Sequence, residues 1–322
     1  MRSALLVCAA ALVSVASAGG ATPRRHLDVY MIAFGDTLHG LSSVAYANVP
    51  CPTHVCPFFV QATGDGGRSW TTTLRSVVSL DFRVTVAASP GTSVAWAYFP
   101  CFEPSCRPQL FRSSDWGRRW RLVSHPRLLT LRFASTLDGW GLMDEWKLVA
   151  THDGGRTWRP VPKQPCAANP LGLAPFQVAP VSARRGWALC SDGQLAEEAV
   201  ALYETRDGGR HWRLRAQRDT SPRRVGRGVT NLFALRELSF RASGRGWIWR
   251  FAGRPLRSDD GGRSWRPAAG WPLARNTYSV TFGSAFSDAD AYAAVGTHGP
   301  TLLLRTTDAG RSWTTVHRWP RP

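Results

Sequence analysis

"THDGGRTW", residues 151–158, sets a Thr, an Asp, two Gly, an Arg and a Trp within eight positions. Alone it permits a metal ligand, a catalytic acid or a turn, because an Asp beside glycines serves all three. Its recurrence decides between them. The pattern Ser/Thr-x-Asp-x-Gly-x-x-Trp appears six times, as TGDGGRSW (63–70), SSDWGRRW (113–120), THDGGRTW (151–158), TRDGGRHW (205–212), SDDGGRSW (258–265) and TTDAGRSW (306–313). A catalytic residue is not needed six times over. The aspartates Asp65, Asp115, Asp153, Asp207, Asp260 and Asp308 stand 50, 38, 54, 53 and 48 residues apart, the length of a four-stranded unit with its turns.

Other signals recur in phase. Short apolar or alternating runs precede the octapeptides (FFVQAT, QLFRSS, KLVATH, ALYET, LLLRTT), and further upstream stand VAWAYF, DGWGLM, RGWALC, RGWIWR and ADAYAAV. Still earlier come DVYMIAF, LTLRFAS, LRELSF and NTYSVTF. Each reads as a strand by its alternation and its β-branched and aromatic content. With the run after the octapeptide Trp, there are four strands per unit and six units between about Leu27 and Trp319. The spacing leaves no room for a seventh.

The octapeptide suits a turn between the third and fourth strands. Its carboxylate can accept backbone N–H groups of its own turn, the hydroxyl can do likewise, and the glycine supplies a positive φ. The Trp then enters the outer strand, where its apolar area packs blade on blade. Ten of the fifteen tryptophans either close an octapeptide or stand at the second-strand signal (Trp96, Trp140, Trp187, Trp247), so most are expected in the core.

These repeats resemble Asp boxes, the bacterial neuraminidase repeats, and the chain is similar to six-bladed β-propellers of the sialidase-like superfamily, whose relatives include photosystem II assembly factor-like exported propellers. The resemblance covers nearly all of residues 19–322. It implies one all-β domain of four-stranded antiparallel blades with one Asp box per blade. It also implies that the boxes lie on the face away from the central site, while loops joining strands two and three, and the links between blades, form the other face. Function does not follow from this fold alone.

Residues 1–18 read as a signal peptide: a basic start at Arg2, an apolar run from Ala4 to about Ala16, and the small-residue ending Ala16-Ser17-Ala18. The run is shorter than a bilayer span, and Val7 before Cys8 is a poor match to a lipoprotein cleavage site. A secreted or extracytoplasmic location is therefore expected. No later stretch could span a membrane. Removal of Cys8 leaves six cysteines for an oxidising compartment. Cys51-Cys56 and Cys101-Cys106 would each close a short loop, leaving Cys166-Cys190. Zinc is the rival reading, but paired C-x2-C spacing and accompanying histidines are missing.

The formal charge of +18 rests on arginine, since Lys147 and Lys163 are the only lysines. It permits anionic partners. The most basic segment, 213–228, joins the fourth unit to the fifth, and Arg213, Arg215, Arg218, Arg223, Arg224 and Arg227 could form an electropositive rim on the functional face; a solvated loop is the competing reading. The arginine inside each octapeptide belongs to the repeat. Trp146 and Trp271 could stack on sugar rings or pack a loop. His54 and His298 lack the carboxylate that would make a metal site.

A sialidase would need three arginines on a substrate carboxylate, a Tyr nucleophile with a Glu partner, an Asp acid/base, and an early Arg-x-Pro. The first unit has no such motif between Arg25 and Thr63, and Arg254 stands directly before Pro255 in the fifth. Glu103, Asp144, Glu145, Asp192, Glu197 and Glu198 fall on functional-face loops without naming a catalytic pair. The expectation is a monomeric, exported, non-catalytic binding or scaffold propeller for a protein, an anionic glycan or a cell-surface polymer, with no cofactor, no metal and no nucleic acid. The alternative is a divergent sialidase-like glycoside hydrolase.

Overall fold

The computed structural model describes residues 27–46, 55–79, 84–104, 106–144, 146–170, 172–192, 199–218, 235–250, 253–273, 278–297 and 300–319. The leader, Cys51, His54, Arg223, Arg224, Arg227 and His298 lie outside these. Twenty-four strands run in order. Blade 1 holds β1 (Leu27–Phe34), β2 (Gly40–Tyr46), β3 (Val55–Thr63) and β4 (Thr71–Ser79). Blade 2 holds β5 (Thr85–Ala88), β6 (Ala95–Phe99), β7 (Gln109–Ser113) and β8 (Arg121–Ser124). Blade 3 holds β9 (Leu128–Phe133), β10 (Gly139–Met143), β11 (Leu148–Thr151) and β12 (Arg159–Pro160). Blade 4 holds β13 (Ala174–Pro180), β14 (Gly186–Ser191), β15 (Val200–Thr205) and β16 (Arg213–Arg218). Blade 5 holds β17 (Leu235–Phe240), β18 (Gly246–Arg250), β19 (Leu256–Ser258) and β20 (Arg266–Pro267). Blade 6 holds β21 (Tyr278–Ala285), β22 (Ala291–Thr297), β23 (Thr301–Thr306) and β24 (Thr314–Trp319).

Each blade is an antiparallel meander of four strands that are consecutive in sequence. Among the described residues no strand is exchanged between the first and last blades. The first strands contact one another in sequence around the axis, and β21 returns to β1. This is a six-bladed propeller, closed by side-chain packing and hydrogen bonds between blades 1 and 6.

Burial follows position in the blade. Second strands are covered on both faces, so β14, GWALCS, is buried throughout and reads as a continuous apolar run. Outer strands are the more exposed ones, and two of them, β12 and β20, are two residues long with both residues exposed.

All six octapeptides form the same turn. The Ser/Thr hydroxyl donates to the Asp carboxylate (Thr151 Oγ1 to Asp153 Oδ1, 2.8 Å) and accepts the N–H of the glycine two residues past that Asp (Gly155, 3.0 Å). The carboxylate accepts the amide of the residue before the Trp and a side-chain group of the same residue, a hydroxyl in four turns (Thr157, 3.0 and 2.7 Å) and Nε of Arg119 in the second, while Nδ1 of His211 meets it in the fourth. The residue after the Asp donates its N–H to the hairpin between the first two strands of its own blade: Gly66 to Leu38, Trp116 to Ser93, Gly154 to Leu137, Gly208 to Arg184, Gly261 to Gly244 and Ala309 to Ala289. All six turns therefore sit on one face.

Two successive residues in each turn adopt positive φ. The first tolerates Trp116 (φ 63°) and Ala309 (φ 61°), whereas the second is glycine every time. Its neighbours explain the difference. A Cβ on Gly67, Gly117, Gly155, Gly209 or Gly262 would come within 2.4–2.9 Å of Leu303, Leu41, Leu110, Val161 or Leu202 of the preceding blade, and one on Gly310 within 2.6 Å of Trp247. Left-handed backbone and a packed seam together admit nothing larger.

Second-strand aromatics complete the seams. Trp96 and Trp187 donate Nε1 to the carbonyls of Gly154 and Gly261 in the next blade's turn (3.0 and 3.1 Å). They also stack on Phe133 and Phe240.

Candidate functional site

Three regions could carry function: the axial channel, the arginine-rich edge of blade 4, and the face opposite the octapeptides.

The channel is lined by first strands of the six blades around a cavity of about 80 Å³, with Phe34, Phe133, Phe240 and Pro180 among its walls. It is bridged. Arg132 Nη2 of β9 lies 2.5 Å from Glu237 Oε1 of β17, and Gly283 of β21 donates its N–H to Glu237 Oε2 at 3.2 Å. A register irregularity between Leu235 and Glu237 sets this side chain. Burial pushes the Glu237 carboxyl up against the opposing pull of Arg132. Sequence reading singled out neither residue; the charges within the first-strand runs LLTLRF and LRELSF were the available signal.

The arginines at the start of 213–228 do not form a rim on the opposite face. Strand β16 begins at Arg213, beside the octapeptide Trp212, and only its far end at Arg218 reaches the other side. Arg213 is paired in register with Glu204. Arg215 is buried against that same carboxylate. Glu204 also binds Arg185 Nε (2.9 Å) and Arg206 Nε (3.1 Å). Burial raises its pKa, but the hydrogen bonds from Arg215, Arg185 and Arg206 prevail and hold it below the usual carboxylate range. Of the segment's described arginines, Arg215 is the one taken up by this buried carboxylate.

Trp271 does not offer a stacking surface either. It is buried beside the blade 6 octapeptide, edge-on to Trp313 with centroids 5.1 Å apart.

Trp146 does. It lies in the tight turn between β10 and β11, closed by Met143 N–H to Lys147 O and Trp146 N–H to Met143 O, both 2.9 Å. Its φ is 57° and its exposure 44%. Trp116 shares the left-handed backbone but stacks on His39 at 4.0 Å. Among the described residues the one ring contact of Trp146 is a tilted one with Phe176 of β13, centroids 6.4 Å apart. A half-exposed aromatic on left-handed backbone is a candidate for a functional position.

A strip continues from it across blades 2 to 4. Asp144 Oδ2 lies 3.7 Å from Arg127 Nε, and the Arg127 guanidinium sits 5.1 Å over the Phe102 ring. Tyr98 fixes the link carrying Arg127: its hydroxyl accepts Leu128 N–H at 2.9 Å and lies 2.8 Å from the carbonyls of Pro126 and Leu128, donating to one. Disulfides tie both ends. Cys101–Cys106 closes the loop holding Phe102, and Cys166–Cys190 meets β13 where Cys190 pairs in register with Pro175. Cys56 is disulfide-bonded as well. Among the described residues, no three His, Cys, Asp or Glu side chains gather as a metal-binding group, and no helix is long and apolar enough to cross a membrane.

No protein-family model and no curated protein matches the sequence. Solved structures share the fold. The β-propeller domain of the Trilobed protease from Pyrococcus furiosus, which has an open velcro topology, aligns over 92% of this chain and 100% of that one, at 6% identity and TM-score 0.54. The GH74 xyloglucanase from Xanthomonas campestris aligns over 90% of this chain and 47% of that one, at 16% identity and TM-score 0.51. YCF48 bound to D1 peptide aligns over 91% and 82%, at 17% identity and TM-score 0.49. At these identities the likeness is one of fold.

Proposed function

We propose that the chain is an exported, non-catalytic binding propeller that takes a protein or glycan partner on the face opposite its octapeptide turns, with Trp146 as the anchor. One observation carries this reading: a Trp with 44% exposure held at φ 57°. Left-handed backbone costs a residue other than glycine about 1–2 kcal/mol, and packing against Phe176 alone does not account for keeping a tryptophan there. The strip from Phe102 to Phe176 supplies flat apolar surfaces and one guanidinium, chemistry suited to sugar rings or to an aromatic-bearing peptide. Three of the described carboxylates have structural employment: Glu237 bridges the channel, Glu204 gathers arginines, and Asp144 faces Arg127. These three are spoken for, which counts against a hydrolytic role for them.

The test uses the oxidised full-length chain on a glycan array containing neutral, sialylated and uronate sugars, beside a fluorogenic sialoside assay, with Trp146→Gly in parallel. Binding lost in Trp146→Gly at an unchanged or higher melting temperature supports the anchor. Sialoside turnover overturns the non-catalytic reading. If binding survives in Trp146→Gly, the strip is not the site.

A further inference from the structure

The repeat places arginines at the same three positions on two seams of the ring, and one seam shows what that arrangement holds. Between blades 5 and 6, Arg257 stands just before Ser258, Arg266 just after Trp265, and Arg311 is the octapeptide arginine of the next blade; all three line one groove. Arg257 and Arg266 face each other in register. Asp259 lies among them, its Oδ1 2.7 Å from Arg257 Nη2 and 3.5 Å from Arg245 Nε, its Oδ2 against Arg266 Nη2.

Between blades 2 and 3 the equivalent positions are Arg112, Arg121 and Arg156, and again the first two face each other in register. Arg112 reaches across the seam, since a Cβ on Gly154 of the blade 3 turn would lie 3.7 Å from its Nε. Here the residue matching Asp259 is Ser114. Among the described residues, neither the Arg112 nor the Arg121 guanidinium forms a hydrogen bond or ion pair. Arg112 lies 5.9 Å over Trp96, and the Arg156 guanidinium makes one hydrogen bond among the described residues, from Nη1 to Asp153 O at 3.2 Å. Like charges directly opposite on neighbouring strands repel. Burial, then Arg156, then Arg121 lower the Arg112 pKa, the strain expected of a cationic group without its counter-charge.

We propose that the seam between blades 2 and 3, on the octapeptide face, is an oxyanion-binding site in which Arg112, Arg121 and Arg156 hold an external carboxylate, or a sulfate or phosphate group of the same hydrogen-bonding chemistry, as Arg257 and Arg266 hold Asp259. Planar guanidiniums suit such groups because they donate paired hydrogen bonds. The inference stands apart from the Trp146 strip, on the other face of the disc.

The experiment is titration calorimetry of the oxidised full-length chain with sodium citrate and, separately, sodium sulfate, against sodium chloride at matched ionic strength. Melting temperatures are recorded alongside, compared between variants so that the general stabilisation by sulfate cancels. Ser114→Asp supplies the missing carboxylate internally, at a position that already accepts Gly64, His152, Arg206, Asp259 and Thr307 in the other turns. It is expected to raise the melting temperature in chloride and to abolish anion binding. Arg112→Gln or Arg121→Gln should weaken binding roughly tenfold or more, the loss of a charge-assisted hydrogen bond. Asp259→Ser should open a second site. Citrate binding alone identifies a carboxylate ligand, and binding of both anions a general oxyanion site. No binding by the wild-type chain, or equal binding by wild type and Ser114→Asp, overturns the proposal.

Discussion

The ring of Phe34 stacks on that of Tyr292, centroids 3.7 Å apart and planes 13° from parallel, joining the first blade to the last. Trp96–Phe133 and Trp187–Phe240 make the same stack at internal seams, at 3.6 and 4.0 Å. The Tyr292 hydroxyl donates to Thr37 O at 2.9 Å, and Ser284 Oγ accepts Phe34 N–H at 2.9 Å. With no exchanged strand, these side chains close the ring. Phe34→Ala is therefore expected to cost as much as Phe133→Ala, about 3–5 kcal/mol each, and Tyr292→Phe about 1 kcal/mol. Urea denaturation of the three variants checks this; a much smaller loss for Phe34→Ala would mean that the closing seam carries little of the stability.

Asp153 accepts three groups within its own turn, the Thr151 hydroxyl and the Thr157 amide and hydroxyl. Asp153→Ala should lower stability by about 1–2 kcal/mol and leave ligand binding intact at temperatures where the variant is folded. Loss of binding at an unchanged melting temperature would contradict the structural role.

Acid should erode the turns together. Hydrogen bonds from the Ser312 hydroxyl and amide hold Asp308 at about 2 against an ordinary 3.8. Partial burial opposes ionisation of Asp153, but the Thr157 and Thr151 hydrogen bonds bring it to about 2 as well. The other four octapeptide aspartates are shifted in the same direction. A carboxyl whose folded pKa is depressed stabilises fully above its unfolded value and loses that contribution as pH falls through the folded one. Melting temperature should thus fall steeply between about pH 4 and 2. Asp308→Asn, measured over pH 2–6, should show a shallower fall than wild type.

Removing one member of the channel bridge strands the other in apolar surroundings. Glu237→Gln should cost about 3–5 kcal/mol, while the double variant Arg132→Met, Glu237→Leu should recover most of that loss. Thermal denaturation of single and double variants distinguishes an ion pair that sets the packing of blades 3, 5 and 6 from one that adds stability outright.

How far the molecule could be read from its sequence depended on the range of the interaction. The octapeptide turn is local: a hydroxyl, a carboxylate, two left-handed residues and a Trp within eight positions define it, so blade number, strand count and the turn's own hydrogen bonds were legible. Cys101–Cys106 and Cys166–Cys190 were legible too, from loop spacing and elimination. The arginines were not. Composition shows an excess of cations but not which are neutralised. Arg215 looked free in its segment and is buried on Glu204, eleven residues earlier, because the register irregularity between Leu214 and Ala216 leaves it unpaired in the ladder and turns it onto that carboxylate.

The sequence by itself determined six blades of four strands and the placement of one turn in each, because that information is periodic and each period is self-sufficient. Tertiary structure alone decided which charges face each other. Arg132 meets Glu237 across 105 residues, Phe34 meets Tyr292 across nearly the whole length of the sequence, and Trp146 is left exposed while Trp271 is buried. Contacts between blades depend on how the disc curves and closes, and no local pattern records that geometry.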